Sequence, residues 1–247
     1  MDELLLRLRT ALAGRYAIEA QIGSGGMATV YLADDPKHHR KVAVKVLRPG
    51  LAAALGATRF LREIEIAAQL AHPHILPLHD SGEAGGFLYY VTPHGREGSL
   101  RQRLEQGGRL PLAEALRIVR DVGAALDYAH RQGFVHRDVK PENVLFTDAH
   151  AVLADFGIAR AVATVASEAI TDAGVVLGTP EYMSPEQAAG EQDLGGASDT
   201  YSLACVAYEM LAGEPPLRGA GARATMAKQV TETPRPVRTL RSEIPVG

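Results

Sequence analysis

The sequence predicts an α+β protein in which a β-rich first third precedes a mainly helical remainder. Alternating apolar residues around a glycine-rich turn predict paired strands between residues 16 and 47. Apolar residues at helical spacing predict long helices over residues 112–132 and 198–213. A loop rich in charged and amide side chains, residues 135–146, lies between these helices. We therefore expect this loop to supply the chemistry.

Composition narrows the class of protein. The chain has 247 residues, of which 46% are hydrophobic and 22% charged, so it can bury a full core. A net charge of -3 without a long Lys/Arg run argues against a nucleic-acid partner. The single cysteine, Cys205, cannot form an internal disulfide, so we expect a buried thiol and a reducing, cytoplasmic location. The sequence contains no run of about 18 uncharged apolar residues, so we expect no membrane-spanning segment in it.

The first predicted element is a glycine-rich hairpin at residues 22–32, which read I-G-S-G-G-M-A-T-V-Y-L. A dinucleotide-binding fingerprint would open directly into a helix after its glycines, whereas here a strand follows, so a Rossmann-type oxidoreductase is disfavoured. The next strand, residues 41–47, carries Lys45. Glycines let the backbone approach phosphates closely, and a lysine on a strand supplies a fixed positive charge. The glycine-rich hairpin and Lys45 together predict a phosphate-binding site.

A helix is predicted next, over residues 58–71, because apolar residues recur at helical spacing among charged ones. Its two acids, Glu63 and Glu65, point about 200° apart on a helix, so only one of them can face a cleft. No thiol or carboxylate lies at ligand spacing from the histidines that follow, so we predict no metal site there. These histidines are His72, His74 and His79.

The polar loop reads V-H-R-D-V-K-P-E-N-V-L-F from residue 135 to residue 146. Asp138, Lys140 and Asn143 are two and three residues apart, a spacing that can aim a carboxylate, an ammonium and an amide into one cleft. A carboxylate can take a hydroxyl proton, a cation can meet a phosphoryl group, and an amide oxygen can hold a metal ion. The loop therefore favours a reaction on a phosphate ester.

This loop resembles the catalytic loop of protein kinases, H-R-D-x-K-x-x-N, and matches it at every fixed position. The resemblance extends over roughly Tyr16 to Arg241 and includes the glycine-rich loop, the Val-Ala-x-Lys strand and the triplet Asp155-Phe156-Gly157. It implies the two-lobed protein kinase fold, with a small, mainly antiparallel β lobe carrying one main helix and a larger, mainly helical lobe.

The resemblance also implies domain boundaries. The family continues with two further large-lobe helices, so we expect a truncated large lobe in which the C-terminal helices are missing. The carboxylate of Glu186 would lose its arginine partner with them. The implied parts are an N-terminal extension (1–15), a small lobe (16–94) and a large lobe (95–247).

Catalytic and metal-binding roles follow from the resemblance. Asp138 would orient or deprotonate the substrate hydroxyl, and Lys140 and Lys45 would stabilise phosphate charge. Asn143 and Asp155 would hold Mg²⁺, so ATP and Mg²⁺ are the expected nucleotide and metal. The implied nucleotide-binding residues are Ile22, Gly23, Ser24, Gly25, Gly26, Met27, Ala28, Thr29, Val30, Ala43, Lys45, Glu63, Thr92, Pro93, Gly95, Asn143, Leu145 and Asp155.

Details of the nucleotide site are implied as well. Thr92 would lie at the rear of the adenine pocket, where the backbone of Pro93 and Gly95 can bind the adenine edge. Ala28 stands where the family has its third glycine, and its methyl group should stiffen the loop slightly. Glu63 would pair with Lys45 in the active enzyme.

Two further residues are expected to support the catalytic loop. Asp199 would cap the helix at 198–213 and hold the backbone of the loop. Thr179 would form a hydrogen bond near Asp138 and Lys140, as in serine/threonine-specific members of the family.

The segment over residues 158–177 would be the activation segment, since long irregular segments inside compact domains are usually functional. We expect phosphorylation of Thr171, with Thr164 and Ser167 as the less favoured alternative sites. The added charge of about -1.5 to -2 would pair with Arg137 and order the segment.

The sequence thus predicts a serine/threonine protein kinase that transfers the γ-phosphate of ATP to proteins, including itself through self-association. Its sequence most resembles the bacterial members of the family, many of which carry a membrane segment and a sensor domain after the kinase domain. The alternative is a pseudokinase-like nucleotide-binding scaffold, which the missing helices keep open.

Overall fold

The computed structural model describes residues 3–95, 97–156 and 179–245. Its N-terminal part contains a five-stranded antiparallel sheet with the strand order β1-β2-β3-β5-β4. In the register of β3 and β5, Lys45 lies opposite Tyr90 and Ala43 lies opposite Thr92. The sheet therefore fixes Lys45 at a defined position beside β5. The strands are β1 (Ala17–Ser24), β2 (Ala28–Asp35), β3 (Arg40–Leu47), β4 (Asp80–Ala84) and β5 (Phe87–Pro93).

Helices cover this sheet. Helix α1 (Glu3–Ala11) and the turn after it bury Leu8 and Leu12 in one cluster with apolar residues of the sheet. Helix α2 (Pro49–Leu55) and helix α3 (Ala57–Ala67) contribute to a second cluster with Leu88 and Tyr90 of β5. Burial of these side chains supplies the main favourable term for docking the helices.

The C-terminal part is mainly helical, and its core lies between α5 and α7. Apolar residues of these two helices pack with Phe146 and Leu153 of a two-stranded sheet, β6-β7. The helices are α4 (Leu100–Gly107), α5 (Leu112–Arg131), α6 (Pro185–Ala188), α7 (Gly196–Ala212) and α8 (Ala222–Thr231), and the strands are β6 (Val144–Thr147) and β7 (His150–Leu153). Single 3₁₀ turns occupy Pro141–Asn143, Pro180–Tyr182 and Val237–Thr239.

Glycines define both ends of α7. A Cβ atom at Gly196 would lie 2.5 Å from Nδ1 of His130, so only glycine allows this close approach. Gly213 ends the helix in the left-handed conformation, with φ of 85°, as helices commonly end.

The predicted elements differ from the structure mainly at their ends. The helix predicted over residues 58–71 ends at Ala67. In the tail that begins at Arg235, Nη1 of Arg241 donates to the carbonyl of Leu110 at 2.6 Å, and Nη1 of Arg109 donates to the carbonyl of Leu240 at 3.2 Å. The tail is therefore anchored to the helical part by its backbone and one arginine. Within the described ranges, every helix is too short or too polar to cross a bilayer.

Cys205 is expected to resist alkylation in the folded protein. Its side chain is buried in α7, and burial raises the pKa of its thiol to about 12. The reactive species is the thiolate, which is scarce and inaccessible under these conditions. Iodoacetamide at about pH 8 should label the protein only after denaturation in urea, as measured by intact mass. Rapid labelling of the native protein would contradict the buried position.

Candidate active site

A cleft of about 760 Å³ lies between the N-terminal sheet and the helical part. The glycine-rich turn, Ala43 and Lys45 line it from the sheet, and Asp138, Lys140 and Asp155 line it from the helical part. Every residue in our predicted site lines this cleft except Thr29 and Glu63. Residues that we did not predict also line it: Leu47, Tyr90, His94, Gly98, Ser99, Gln102 and Glu142.

The glycine-rich turn connects β1 to β2 over the cleft. Within it, the amide of Gly25 donates to the carbonyl of Ala28 at 2.9 Å. Nε of Arg48, just after β3, donates to the carbonyl of Gly25 at 2.9 Å. These bonds tie the turn to the end of the strand that carries Lys45.

Lys45 projects from β3 and pairs with Asp155. Its Nζ atom lies 2.5 Å from Oδ1 and 2.6 Å from Oδ2 of that carboxylate. Burial by itself would raise the pKa of Asp155, but the charge and hydrogen bonds of Lys45, together with a hydrogen bond from Tyr90, hold it below its usual value. Glu63 is half-buried on α3 and is not among the described residues that line the cleft. Its pairing with Lys45 stays a prediction for the active enzyme.

The catalytic-loop residues converge as their spacing predicts. Nζ of Lys140 donates to both carboxylate oxygens of Asp138, at 2.8 and 2.7 Å. Nδ2 of Asn143 donates to the carbonyl of Asp138 at 2.8 Å and to its Oδ2 at 3.1 Å. The 3₁₀ turn Pro141–Asn143 folds the chain back so that the amide reaches Asp138. A carboxylate, a cation and an amide therefore share one corner of the cleft.

Asp199 holds the backbone of this loop. Its side chain is fully buried; Oδ2 accepts from the amide of His136 and Oδ1 from the amide of Arg137, both at 2.7 Å. Its Oδ2 also lies 2.7 Å from Nε2 of His130. The predicted support is confirmed, but the predicted cap is wrong, because the N-cap of α7 is Gly195 and Asp199 lies in the first turn. Arg137 has φ of 69°, a strained conformation that this support stabilises.

His136 connects the catalytic loop to the segment that carries Asp155. Its Nε2 atom lies 2.8 Å from the carbonyl of Ala154. Its ring meets the ring of Phe156 edge to face, with the centroids 4.5 Å apart. The residues on both sides of Asp155 are thus fixed to the catalytic loop, a contact that the sequence pattern did not reveal.

Asn143 and Asp155 fit a magnesium ion by their chemistry. The amide of Ala154 donates to the carbonyl of Asn143 at 2.8 Å, which places the two predicted ligands beside each other at the end of the β6-β7 sheet. The bonds of Asn143 to Asp138 use its amide nitrogen, so its oxygen is the end that can bind a cation. Hard oxygen ligands suit Mg²⁺, which usually takes one or two protein side chains and fills its other positions with phosphate and water oxygens.

A second ionic cluster lies next to this site and was not predicted. Arg101 of α4 donates at 2.8 Å to both Glu142 of the catalytic loop and Glu209 of α7. It also donates to the hydroxyl of Tyr182, which in turn donates to Glu209. Burial alone would lower the pKa of Arg101, but its hydrogen bonds to Glu209 and Glu142 raise it above its ordinary value. The cluster ties the catalytic loop to α4, α7 and the turn at Tyr182.

Glu209→Ala is expected to lower the free energy of unfolding by about 3 kcal/mol, because removing one partner of a buried pair leaves a poorly compensated charge. Glu142 remains beside Arg101 and keeps the loss near the lower end of the usual range. Urea denaturation would measure the change. Glu214→Ala, which removes an exposed carboxylate paired with Arg235, is the control. Equal stabilities of the two variants would contradict the role of the cluster.

The remaining predictions concern the chain after Asp155. Glu186 accepts a hydrogen bond from Ser198 Oγ in this structure, so a neutral partner within the chain binds it. Thr179 lines the cleft, as expected for a residue near Asp138. The proposed phosphorylation sites Thr164, Ser167 and Thr171 lie outside the described residues.

Comparisons with known proteins agree with this geometry. A family model described as the protein kinase domain matches residues 16–245. The chain is 43% identical over 231 residues to serine/threonine-protein kinase PknB of Mycobacterium leprae, covering 91% of this chain and 37% of that protein. It is 41% identical over 236 residues to serine/threonine-protein kinase PknD of Mycobacterium tuberculosis, covering 94% and 35%. The chain thus spans little more than a third of these relatives.

A solved structure shows the same fold. The crystal structure of the PknI kinase domain of Mycobacterium tuberculosis superposes with a TM-score of 0.71 at 34% identity, covering 93% of this chain and 82% of that one. The small antiparallel sheet, the helical part and the cleft between them are therefore those of the predicted fold class. Because the family model covers nearly the whole sequence, this chain belongs to the protein kinase family.

Proposed function

We propose that this chain is an ATP-dependent serine/threonine protein kinase, which transfers the γ-phosphate of ATP to hydroxyl groups of proteins, including a second copy of itself. One observation carries the proposal: Asp138, Lys140 and Asn143 converge in the same cleft as Lys45 and Asp155. These groups supply the base, the cations and the metal ligands that phosphoryl transfer requires.

The shape of the cleft supports a site for adenine beside β5. Ala43 lies opposite Thr92 in the sheet. On the other side of the cleft, the side chain of Leu145 lies close to Gly95. A Cβ atom added at Gly95 would lie 3.5 Å from Cδ1 of Leu145. An adenine ring would lie between Ala43 and Leu145, with its edge at the backbone of Pro93 and Gly95.

The phosphates would extend from there beneath the glycine-rich turn. Lys45, which lines the cleft from the sheet, would leave Asp155 and contact the phosphate oxygens. Asn143 and Asp155 would hold Mg²⁺, which when bound supplies neutralisation of the phosphate charge. In this arrangement the γ-phosphate would lie near Asp138.

The transfer would use the two charged residues of the catalytic loop. Asp138 orients the serine or threonine hydroxyl and accepts its proton as the oxygen forms its bond to the γ-phosphorus. The bond from that phosphorus to the leaving oxygen breaks, and ADP departs. Lys140, which already lies beside Asp138, stabilises the negative charge of the transferred group.

Labelled ATP tests this proposal. The protein would be incubated with Mg²⁺ and ATP labelled at either the γ- or the α-phosphate, with a generic basic protein as substrate. We expect label to pass only from the γ-position, to depend on Mg²⁺, and to appear on serine and threonine of the substrate and of the chain itself. Nucleotide binding by folded protein without transfer would refute the enzyme and favour the scaffold alternative.

A further inference from the structure

Tyr90 of β5 lies at the centre of the contact between Lys45 and Asp155. Because Tyr90 is directly opposite Lys45 in the antiparallel register, the two side chains project from the same face of the sheet. The hydroxyl of Tyr90 donates to Oδ1 of Asp155 at 3.0 Å. Nζ of Lys45 lies 5.7 Å from the centre of the Tyr90 ring. Tyrosine, lysine and aspartate thus form one contiguous group.

The tyrosine is held rigidly in this position. Its side chain is only 3% exposed, and it belongs to an apolar cluster with Phe60 and Ile64 of α3. The rings of Tyr90 and Phe60 pack with their centroids 6.5 Å apart. A buried ring on an interior strand of the sheet cannot follow a mobile partner, so its hydroxyl is a fixed donor.

Asp155 is the member of the group that needs such a donor. Its φ of 70° lies in the left-handed region, which non-glycine residues rarely adopt unless their surroundings impose it. Lys45 now contacts both of its oxygens, and in the proposed reaction that lysine moves to the phosphates. The hydrogen bond from Tyr90 does not depend on this movement, since the tyrosine is anchored in the sheet and in α3.

We propose that Tyr90 is a positioning residue for the metal site: it fixes Oδ1 of Asp155 so that Oδ2 faces the metal after Lys45 has moved to the nucleotide. This inference rests on the proposed function, because it assigns a supporting contact to the same site. Hydrogen-bonded carboxylates are typical of metal sites, where loss of the supporting group commonly weakens metal binding 10- to 100-fold.

Tyr90→Phe tests the inference, because it removes the hydroxyl and retains the ring. Mn²⁺ would be titrated into the protein in the presence of a saturating, non-hydrolysable ATP analogue. Free Mn²⁺ would be measured at each step by electron paramagnetic resonance. We expect Mn²⁺ to bind the variant about 10- to 100-fold more weakly than the wild type. Affinity for the analogue without metal should not change.

Tyr89→Phe is the matched control. Tyr89 is the neighbouring residue of β5, and its buried hydroxyl has no hydrogen-bond partner in the part of the chain that the structure describes. Its loss should leave Mn²⁺ binding at the wild-type value. Thermal unfolding of the metal-free proteins would show whether either variant has lost the fold.

Two results would overturn the inference. If Tyr90→Phe binds Mn²⁺ as tightly as the wild type or more tightly, the hydroxyl does not position Asp155. If it loses stability but binds Mn²⁺ normally, the contact serves packing alone. Wild-type protein that binds no Mn²⁺ with the analogue would instead remove the proposed function itself, so the two failures are distinguishable.

Discussion

Asp138→Asn should lower the rate of phosphotransfer by about 100- to 10,000-fold, the usual contribution of a positioned acid or base. Asparagine keeps the size of the side chain but cannot accept the hydroxyl proton. It also removes the negative charge that Lys140 contacts at 2.8 and 2.7 Å. Because Asp138 lies away from the predicted adenine-binding backbone, the affinity for ATP should change little.

Single-turnover transfer from labelled ATP would measure this effect without interference from product release. Asp127→Asn is a matched control, since Asp127 is an exposed residue of α5 that pairs with Arg131 of the same helix. The control should retain the wild-type rate. An Asp138→Asn variant that transfers phosphate within a few-fold of the wild-type rate would show that the chemistry occurs elsewhere or without this carboxylate.

Asp199→Asn should lower the free energy of unfolding by about 3–5 kcal/mol, the usual cost of breaking a buried charged interaction. The side chain is fully buried, and its two oxygens accept from the backbone amides of His136 and Arg137. In asparagine, one of these oxygens becomes an NH₂ group that faces another donor. Phosphotransfer should also fall, because the backbone of the catalytic loop loses its support.

Urea denaturation would give the change in stability from the midpoint and slope of unfolding. Asp193→Asn, at an exposed position just before α7, provides the control and should stay within about 0.5 kcal/mol of the wild type. Wild-type stability in the Asp199→Asn protein would contradict the supporting role of this carboxylate, whatever the effect on activity.

The parts of the fold that local patterns determine could be predicted from the sequence. The hairpin after Gly25 and the strand with Lys45 follow from alternation and glycine placement, and both are present. Helix α5 begins at the predicted residue, because Pro111 and the apolar periodicity mark its start. Strand β4 was not predicted, since its sequence, DSGEA, is polar and contains glycine. Its pairing with the buried strand β5 determines its structure.

The candidate site divides in the same way. The spacing of Asp138, Lys140 and Asn143 within one loop predicted their convergence, and the structure brings them together. Contacts between distant segments were missed, because no local pattern reports them. Arg101 meets Glu209 across 108 residues, and Tyr90 meets Asp155 across 65. A tyrosine in an otherwise apolar strand signals only that its hydroxyl needs a partner.

A crystal structure with Mg²⁺ and a non-hydrolysable ATP analogue would show whether this cleft is the site of ATP-dependent phosphotransfer. We expect adenine between Ala43 and Leu145, the phosphates beneath the glycine-rich turn, and the metal on Asn143 and Asp155. Lys45 should then contact the phosphates while the hydroxyl of Tyr90 still donates to Asp155. A nucleotide bound outside this cleft, or a metal held without Asn143 and Asp155, would show that phosphotransfer does not use the proposed site.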